Sequence, residues 1–259
     1  MARNKIDRTG EVAYNNNGEK MTIVRYGNVR DIDIQFDDGT IVEHKAYCSF
    51  KNGLIKNPYF PSVYGVGYIG VGEFKTCDEN GKNTKCYWTW KNMMKRCYDH
   101  KYHEKKPTYI GCSVCESWKN FQNFAKWFYE NYYEFGNDKR MELDKDILNK
   151  GNKVYSPETC IFTPNFINAL FTKRDNERGK YPIGVYKHKH KHTFKFKAMF
   201  SKGTGKPICL GSYDTPRLAF LVYKQAKEEY IQQIAEEYKL QLPHKLYEAL
   251  MNYEVEMDD

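Results

Sequence analysis

Long apolar runs are absent, and no stretch of the sequence approaches the roughly 20 residues that a helix needs to cross a bilayer. No apolar segment follows the basic residues at the N-terminus, so a secretory signal peptide is not expected. The glycine-rich stretch 66–72 lacks the Lys-Ser or Lys-Thr ending of a phosphate-binding loop. These absences argue against a membrane protein and a P-loop nucleotidase, and they predict a soluble, cytoplasmic protein without a membrane partner.

Cysteine occurs eight times, but a second Cys-x-x-Cys pair is lacking. A cytoplasmic protein of this size is not expected to build a disulfide framework. Cys112 and Cys115 form the one pair with two-residue spacing, and Cys97 and Cys160 flank the same region. Four thiolates would suit a structural zinc ion, whereas buried free thiols, which pack as small apolar groups, are the alternative interpretation.

Acidic residues are fewer than basic ones, and the 259 residues carry a formal net charge of +8. Residues 181–227 contain ten Lys plus Arg and one Asp, a local net charge of +9 that exceeds the charge of the whole chain. Such a concentration favours a polyanionic partner, and nucleic acid is the commonest one. A solvated basic surface without a partner is the alternative.

Periodicity predicts an α+β chain. Ile32, Ile34 and Phe36 alternate with polar residues before an Asp-Asp-Gly turn, which predicts a hairpin within a small β-barrel or sheet. A helix is predicted over 87–98, with either Trp88, Met94 and Cys97 or Trp90, Met93 and Cys97 as its apolar stripe. A second helix over 117–133 is predicted to begin at an N-cap, Ser117, and to bury the aromatic stripe Trp118, Phe121, Phe124, Ala125 and Phe128.

The stretch Leu143–Asn168 is predicted to be a turn-rich hairpin followed by a helix start at Pro164. Asp144, Lys145 and Asp146 stand in a row on its first arm, and Cys160, Ile161 and Phe162 form its second arm. A carboxylate from a strand and an amide oxygen from a helix are hard ligands, which suit Mg²⁺ better than zinc.

This stretch resembles the core of the HNH endonucleases of the phage and intron-homing branch. Asp144 matches the metal-binding Asp of that family and Asn168 its metal-binding Asn, whereas Lys145 stands where the catalytic His belongs. The preceding segment with Trp90, Met93, Arg96, Cys97 and Tyr98 resembles a segment of one sub-branch. The sequence departs from the family pattern at Thr159-Cys160 and at Phe162, where the family has Asn-Leu and Trp.

The resemblance implies a ββα-metal domain with Mg²⁺ or Mn²⁺ held by Asp144 and Asn168. Lys145 and Asp146 are then the candidate catalytic residues, with Arg140 and Lys150 flanking the site as candidate phosphate contacts. Asp144 and Asp146 stabilise the ammonium of Lys145, which disfavours it as a general base, so it could instead stabilise charge on the scissile phosphate. A phage-encoded protein of this kind would act in the host cytoplasm.

A third module is predicted from strands at 181–186, 192–200 and 206–213 and from a helix that begins at Asp214-Thr215-Pro216 and runs to about residue 238. It resembles the ethylene-response-factor (APETALA-type) DNA-binding domain at Gly184-Val185, Lys197-Ala198, Leu210-Gly211, Tyr213, Thr215, Ala219 and Tyr223. In that family the sheet enters the major groove, so the resemblance implies double-stranded DNA as the partner. The candidate DNA contacts on a basic sheet face are Lys187, Lys189, Lys191, Lys195 and Lys197.

The predicted α+β multidomain layout has five segments. They are a flexible end at 1–12, a small β module at 13–75, an HNH-like domain at 83–172, a three-strand-plus-helix domain at 180–240, and a helical, acidic tail at 241–259. Three functions compete: a metal-dependent DNA endonuclease or nickase, a decayed HNH-fold DNA-binding protein that regulates or inhibits a host system, and a protein that binds another protein through its N-terminal β module.

Overall fold

A computed structural model of the protein describes residues 6–136, 140–171, 180–190, 193–203 and 206–257. The fold is mixed α+β, with eight α-helices and several small sheets in the described ranges. The chain divides into two compact units, Met1–Ile110 with Val114–Lys126 and Gly111–Ser113 with Trp127–Asp259. The division falls inside the predicted 83–172 segment. No helix within the described ranges combines the length and the apolar composition needed to span a membrane.

The first unit contains a four-stranded antiparallel sheet in the order β1-β2-β3-β4. Its strands are β1 Val12–Tyr14, β2 Lys20–Asn28, β3 Asp31–Phe36 and β4 Ile41–Lys45. The predicted hairpin is confirmed, with Ile34 opposite Val42. A closed barrel is not formed: among the described strands, β1 and β4 are the two edges of an open sheet, because no further strand bridges them.

One face of this sheet packs against a short helix, α1 Tyr47–Lys51. The alternating apolar residues of β2 and β3 meet Phe50 of α1 and form a core from which water is excluded. That core comprises Met21, Ile23, Ile32, Ile34, Phe36, Phe50 and Ile55. Period-2 patterning therefore specified the buried face correctly.

Further helices follow in the chain: α2 Lys85–Tyr98, α3 His100–Lys105, α4 Glu116–Lys119 and α5 Phe121–Asn131, with a 3-10 turn at Pro107–Tyr109 and a two-residue strand, β5 Ser113–Val114. Helix α2 buries Trp90 and Met93, while Trp88 is 56% exposed, so the stripe containing Trp88 is wrong. Thr84 caps α2 by accepting a hydrogen bond from the Tyr87 N–H.

The aromatic stripe predicted over 117–133 is buried, but it belongs to two helices instead of one. Asn120 has an extended backbone and separates α4 from α5. The residue preceding α4 is Cys115, which makes no side-chain cap, so the prediction of Ser117 as the N-cap is wrong. Ser117 instead lies within the first turn of α4.

In the second unit, β6 Met141–Asp144 pairs antiparallel with β8 Ile161–Pro164, and α6 Asn165–Asn168 begins directly after β8. The predicted hairpin and helix start are confirmed. A short strand, β7 Val154–Tyr155, lies in the connection, and a 3-10 turn follows at Ala169–Phe171. Phe162 is held by the rings of Trp127, Phe128 and Tyr132, whose centroids lie 5.2–5.4 Å from its own.

The C-terminal part contains a second antiparallel sheet in the order β11-β10-β9, made of β9 Val185–His190, β10 Thr193–Phe200 and β11 Ile208–Tyr213. The first strand begins at Val185 and not at the predicted Tyr181, because the chain turns at Gly184. This glycine has φ +75°, and a Cβ there would lie 2.2 Å from the Tyr223 ring, so both the turn and the packing require glycine.

Two helices complete this unit, α7 Pro216–Glu237 and α8 His244–Met251. Thr215 caps α7 as predicted, accepting from the Leu218 N–H at 3.2 Å. The N-terminal half of α7 covers the sheet, with Ala219, Phe220 and Tyr223 against Val185 and Ala198. Leu218, in the first turn of α7, is exposed.

The C-terminal half of α7 shares a second core with the β6–β8 hairpin, α6 and α8. Its buried members include Ile147, Ile161, Ile167, Ile231, Ile234, Leu242, Leu246 and Leu250. The tail therefore packs into the unit. Lys224 Nζ donates to the Val255 carbonyl, and the Val255 N–H donates to Glu228, so the chain is tied to α7 to within a few residues of its end.

Candidate nucleic-acid interface and candidate metal centre

One face of the β9–β10–β11 sheet is turned away from α7. The strand register places Tyr186, Lys197 and Ser212 in one row across the three strands, and His188 beside Lys195 in the next row. We call these five residues the outer face. Tyr186 is 50% exposed, whereas Val185 and Ala198, one residue away on the strands, are buried against α7. The outer face thus combines cationic, hydroxyl and aromatic groups on a rigid sheet.

Two polar contacts order the side chains of the outer face. His188 Nε2 and the Ser212 hydroxyl lie 3.0 Å apart, and Lys195 Nζ forms an ion pair with Asp214. Tyr186 and Ser212 were not among the residues predicted from the sequence. Strand alternation predicts that Lys195 and Lys197 lie on the same face of β10. Only the pairing of β10 with β9 and β11 shows that Tyr186 and Ser212 lie on that face too.

The lysines predicted as one basic sheet face are divided between two faces. Lys187 lies opposite Phe196 and Lys189 opposite Phe194, so both point to the side on which α7 packs, while Lys195 and Lys197 lie on the outer face. The physical reason is the period of a strand, which sends neighbouring residues to opposite sides. Lys191 falls outside the described residues.

Asp144 is the last residue of β6. Its Oδ1 accepts hydrogen bonds from the backbone N–H groups of Asp146 (2.8 Å) and Ile147 (2.7 Å) and so caps the turn that follows. Burial, reinforced by the nearby charge of Asp146, raises the pKa of Asp144 to about 6. A cation bound to this carboxylate would offset the cost of its charge.

Lys145 is buried, with 8% of its surface exposed. Its ammonium donates to the Asn152 carbonyl at 2.9 Å and lies 3.3 Å from Asp146 Oδ2 and 5.9 Å from the centre of the Tyr155 ring. The Asn152 side chain donates back to the Lys145 carbonyl. Through these contacts Lys145 closes the loop between β6 and β7. They do not favour a position of its ammonium beside a scissile phosphate. Asp146 is half-exposed and is the ionic partner of that lysine.

Asn168 is the last residue of α6 and is half-buried. Helix α6 lies against both β6 and β8, and the Asn165 N–H donates to the Arg140 carbonyl at 2.8 Å. The hairpin and α6 thus form one ββα unit, in which Asp144 lies opposite Ile161 at one end of the paired strands and α6 begins at the other end, where Met141 lies opposite Pro164. Carboxylate and amide oxygens of this kind fit Mg²⁺ or Mn²⁺.

The two flanking cations predicted to meet phosphates both have carboxylate partners. Arg140 Nε lies 2.8 Å from Glu142 Oε1, and its side chain is largely exposed. Lys150 Nζ lies 3.1 Å from Glu256 Oε2, donates to the Glu254 carbonyl and lies over the Tyr253 ring. Lys150 therefore helps to fasten the C-terminal tail, whereas Arg140 remains accessible to a phosphate.

The four candidate zinc ligands are free thiols. Cys97 and Cys115 belong to the first unit, and Cys112 and Cys160 belong to the second. Burial raises the pKa of the Cys112 thiol. The potential metal-binding group that the described residues do bring together, with ligand atoms within 4.8 Å of one another, is Asp31, Asp33 and His44. Zinc binding by the four cysteines stays a prediction.

The group of Asp31, Asp33 and His44 was not predicted from the sequence. The Arg25 guanidinium donates to both carboxylates, at 2.8 Å to Asp31 Oδ1 and 2.8 Å to Asp33 Oδ1. This charge-assisted pairing holds the pKa of Asp31 and of Asp33 below the usual range of an aspartate. Because Arg25 already occupies oxygens of both carboxylates, the group does not fit a metal ion and instead joins β2, β3 and β4.

The N-terminal sheet has an exposed face opposite its core. One row across the four strands consists of Val12, Thr22, Gln35 and Ile41, and both apolar ends of the row are exposed. Binding of a protein partner by this module stays a prediction.

Comparisons with protein-family models, with curated proteins and with solved structures find no match.

Proposed function

We propose that the protein binds double-stranded DNA through the outer face of the β9–β10–β11 sheet. The observation that carries this proposal is the row of Tyr186, Lys197 and Ser212, with Lys195 and His188 beside it, on the face turned away from α7. The local excess of positive charge supplies attraction to phosphates, and the hydroxyl, phenol and imidazole groups supply hydrogen bonds to phosphates or base edges.

The affinity of the full-length chain for a short DNA duplex across a salt series tests this proposal. The slope of log K against log salt is negative, and each phosphate contact that is lost lowers its magnitude by about 0.9. We expect K195Q/K197Q to lower the magnitude of the slope by about 1–2. The matched control is K239Q/K245Q, which removes the same charge from exposed positions elsewhere in the second unit. Equal slopes for both double variants would contradict the proposed interface.

A second function, divalent-metal-dependent hydrolysis of a DNA phosphodiester, is favoured by the ββα unit. Asp144 ends β6, Asn168 ends α6, and α6 lies against β6. These two residues would hold the metal, and a bound Mg²⁺ would supply a more acidic water and neutralise phosphate charge. The chain's own contribution is the fixed turn at Asp144, where two backbone N–H groups orient the carboxylate. Arg140, which precedes β6 and is largely exposed, would be the cation that meets a substrate phosphate.

Nicking of supercoiled plasmid with Mg²⁺, with Mn²⁺ and with chelator tests the nuclease. We expect metal-dependent nicking that is lost in Asp144→Ala and Asn168→Ala and kept in Glu79→Gln, which neutralises an exposed carboxylate of the first unit. Lys145→His is informative, because a gain of cleavage would show a site that lacks only its general base. Salt-sensitive DNA binding without nicking would favour the alternative, a DNA-binding regulator or inhibitor of a host system on a decayed HNH scaffold.

A further inference from the structure

Helix α7 carries a lysine in the middle of its buried stripe. Lys227 lies four residues after Tyr223 and four before Ile231, the spacing at which side chains meet on one face of a helix. Tyr223 packs in the core beneath the β9–β10–β11 sheet, and Ile231 packs in the core that α7 shares with the β6–β8 hairpin. Lys227 therefore lies where α7 passes from one core to the other, and only 8% of its surface is exposed.

No opposite charge accompanies this buried ammonium. Among the described residues, no carboxylate lies within ion-pair distance of Lys227. The other buried lysine of the described ranges, Lys145, has the Asp146 carboxylate beside it, and Lys224, one turn earlier in α7, pairs with Glu228 at 2.8 Å. Burial without a counter-charge lowers the pKa of Lys227 to about 8. A buried cation without an anion is costly, so this position calls for a negative group.

The ammonium of Lys227 contacts an aromatic pair. Its Nζ lies 5.9 Å from the centre of the Phe200 ring at the end of β10. Phe200 meets Tyr230 of α7 edge to face, with ring centroids 5.5 Å apart. A second ammonium, that of Lys202, lies 5.2 Å from the centre of the Tyr230 ring. Two cations thus lie beside one pair of touching rings, and ring faces offset only a small part of the cost of a buried charge.

The polar groups beside these rings can all donate hydrogen bonds. We call Lys227, Lys202 and the Tyr230 hydroxyl the donor cluster. Within the described ranges, Lys202 has no ion-pair partner and the Tyr230 hydroxyl has no hydrogen-bond partner. Lys202 is exposed and Tyr230 is half-buried, so a solute can reach both from solvent. Two ammonium groups and a hydroxyl without a carboxylate are complementary to an oxyanion.

The donor cluster is separate from the outer face of the sheet. Phe200, like Ala198 two residues before it, is buried on the side of α7, whereas Lys197 lies on the outer face. Because Lys227 is almost enclosed, only a small anionic group can approach its ammonium. Phosphate is such a group, and lysine binds it as a point charge.

We propose that the donor cluster is a binding site for a phosphate group, located where the two cores of the second unit meet. The oxyanion supplies the negative charge that the described residues do not place beside Lys227. It also links the end of β10 to α7, so its binding stabilises the folded second unit. Inorganic phosphate and a backbone phosphate of a nucleic acid present the same oxyanion, and the experiment distinguishes these two sources. The inference does not depend on DNA binding by the outer face.

Thermal unfolding of the full-length chain with about 10 mM inorganic phosphate tests the site, with chloride at equal ionic strength as the reference. We expect phosphate to raise the Tm of the parent by about 2–4 °C, because it binds only the folded state. The rise should be lost in K227M, reduced in K202Q and unchanged in K245Q, which removes an exposed charge of α8. In chloride alone, K227M should unfold at a higher temperature than the parent, because an apolar side chain replaces an uncompensated charge.

A short DNA duplex provides the second arm. If the bound phosphate belongs to DNA, K227M should lower the magnitude of the slope of log K against log salt by about 0.9. An unchanged slope together with the phosphate-dependent Tm identifies free phosphate as the ligand.

Two outcomes would overturn the site. One is a phosphate response of K227M equal to that of the parent in a protein whose duplex binding also does not distinguish the two. If K227M does not fold, K202Q and Tyr230→Phe decide the matter at more accessible positions. The site is then overturned if both variants keep the parent's response to phosphate and its slope with DNA.

Discussion

At the scale of single residues, the neighbours Asp144 and Lys145 differ in whether their charge is compensated. The Asp144 carboxylate is held by two N–H groups in an environment that disfavours its charge. The Lys145 ammonium is also buried, but a carbonyl and the Asp146 carboxylate compensate it. A buried charge without an opposite charge is costly, so Asp144 is the residue at which stability and metal binding are expected to oppose each other.

Asp144→Asn should stabilise the protein at pH 7 in the absence of metal. The pKa of Asp144 is about 6 in the folded state, against about 3.9 in an unfolded chain. The folded state holds the proton of the Asp144 carboxyl more tightly than the unfolded chain does. The folding free energy that this tighter proton binding contributes is fully present below pH 4 and is lost as the pH rises through 6. Two pKa units correspond to at most about 3 kcal/mol, and we expect a gain of about 1–2 kcal/mol.

Urea denaturation at several pH values between 4 and 7 measures this effect. The gain of Asp144→Asn over the parent should grow across that range, while the exposed control Asp214→Asn should stay within about 0.5 kcal/mol of the parent. Mg²⁺ should raise the melting temperature of the parent but not of Asp144→Asn if the carboxylate binds metal. A gain that does not vary with pH would contradict the raised pKa.

At the scale of elements, α7 connects the two cores of the second unit. Its first half covers the β9–β11 sheet and its second half packs on the β6–β8 hairpin and α8. The helix begins at Thr215-Pro216, where the threonine hydroxyl accepts from the Leu218 N–H. The start of α7 also sets the position of Asp214, the ionic partner of Lys195 on the outer face.

Thr215→Ala should therefore destabilise the second unit by about 1 kcal/mol, because one N–H group at the helix start loses its partner. Thr215→Ser keeps the hydroxyl and serves as the matched control, with little change expected. Chemical denaturation followed by circular dichroism measures both variants. An equal loss in the serine variant would show that the methyl group, and not the cap, is responsible.

At the scale of the whole molecule, the C-terminal tail belongs to a core. Leu246 and Leu250 of α8 are fully buried with Ile231 and Ile234 of α7, and Val255 is buried beside the sheet. The ββα unit, α7 and the tail therefore share apolar packing, although the sequence predicts them as three separate segments. Stability around Asp144 is expected to depend on residues more than one hundred positions away along the chain.

Leu250→Ala should cost about 2–5 kcal/mol, the range for removing a fully buried leucine side chain. Met257→Ala removes a comparable side chain from a half-exposed position in the same tail and should change stability by less than about 0.5 kcal/mol. The difference is measured from the midpoints of denaturant unfolding, provided that the dependence of the unfolding free energy on denaturant concentration is the same in both variants. Similar midpoints for the two variants would contradict the packing of α8 into the core.

Local patterns in the sequence determined much of the fold. Alternation in β3 and β10 specified the faces that bear Ile34 and Ala198, helical spacing specified the stripe of Phe121 and Phe124, and the order of turn, strand and proline specified the β6–β8 hairpin with α6. These features follow from side-chain periods of 2 and 3.6 residues, which neighbouring residues express by themselves.

The tertiary structure decided the rest, because it depends on which elements meet. Periodicity allowed either Trp88 or Trp90 to be buried, and packing selected Trp90. Alternation separated Lys187 from His188, but only the extent of α7 decided that Lys187 and Lys189 would be exposed. Likewise, the burial of the tail results from its contacts with α7, which no local pattern encodes.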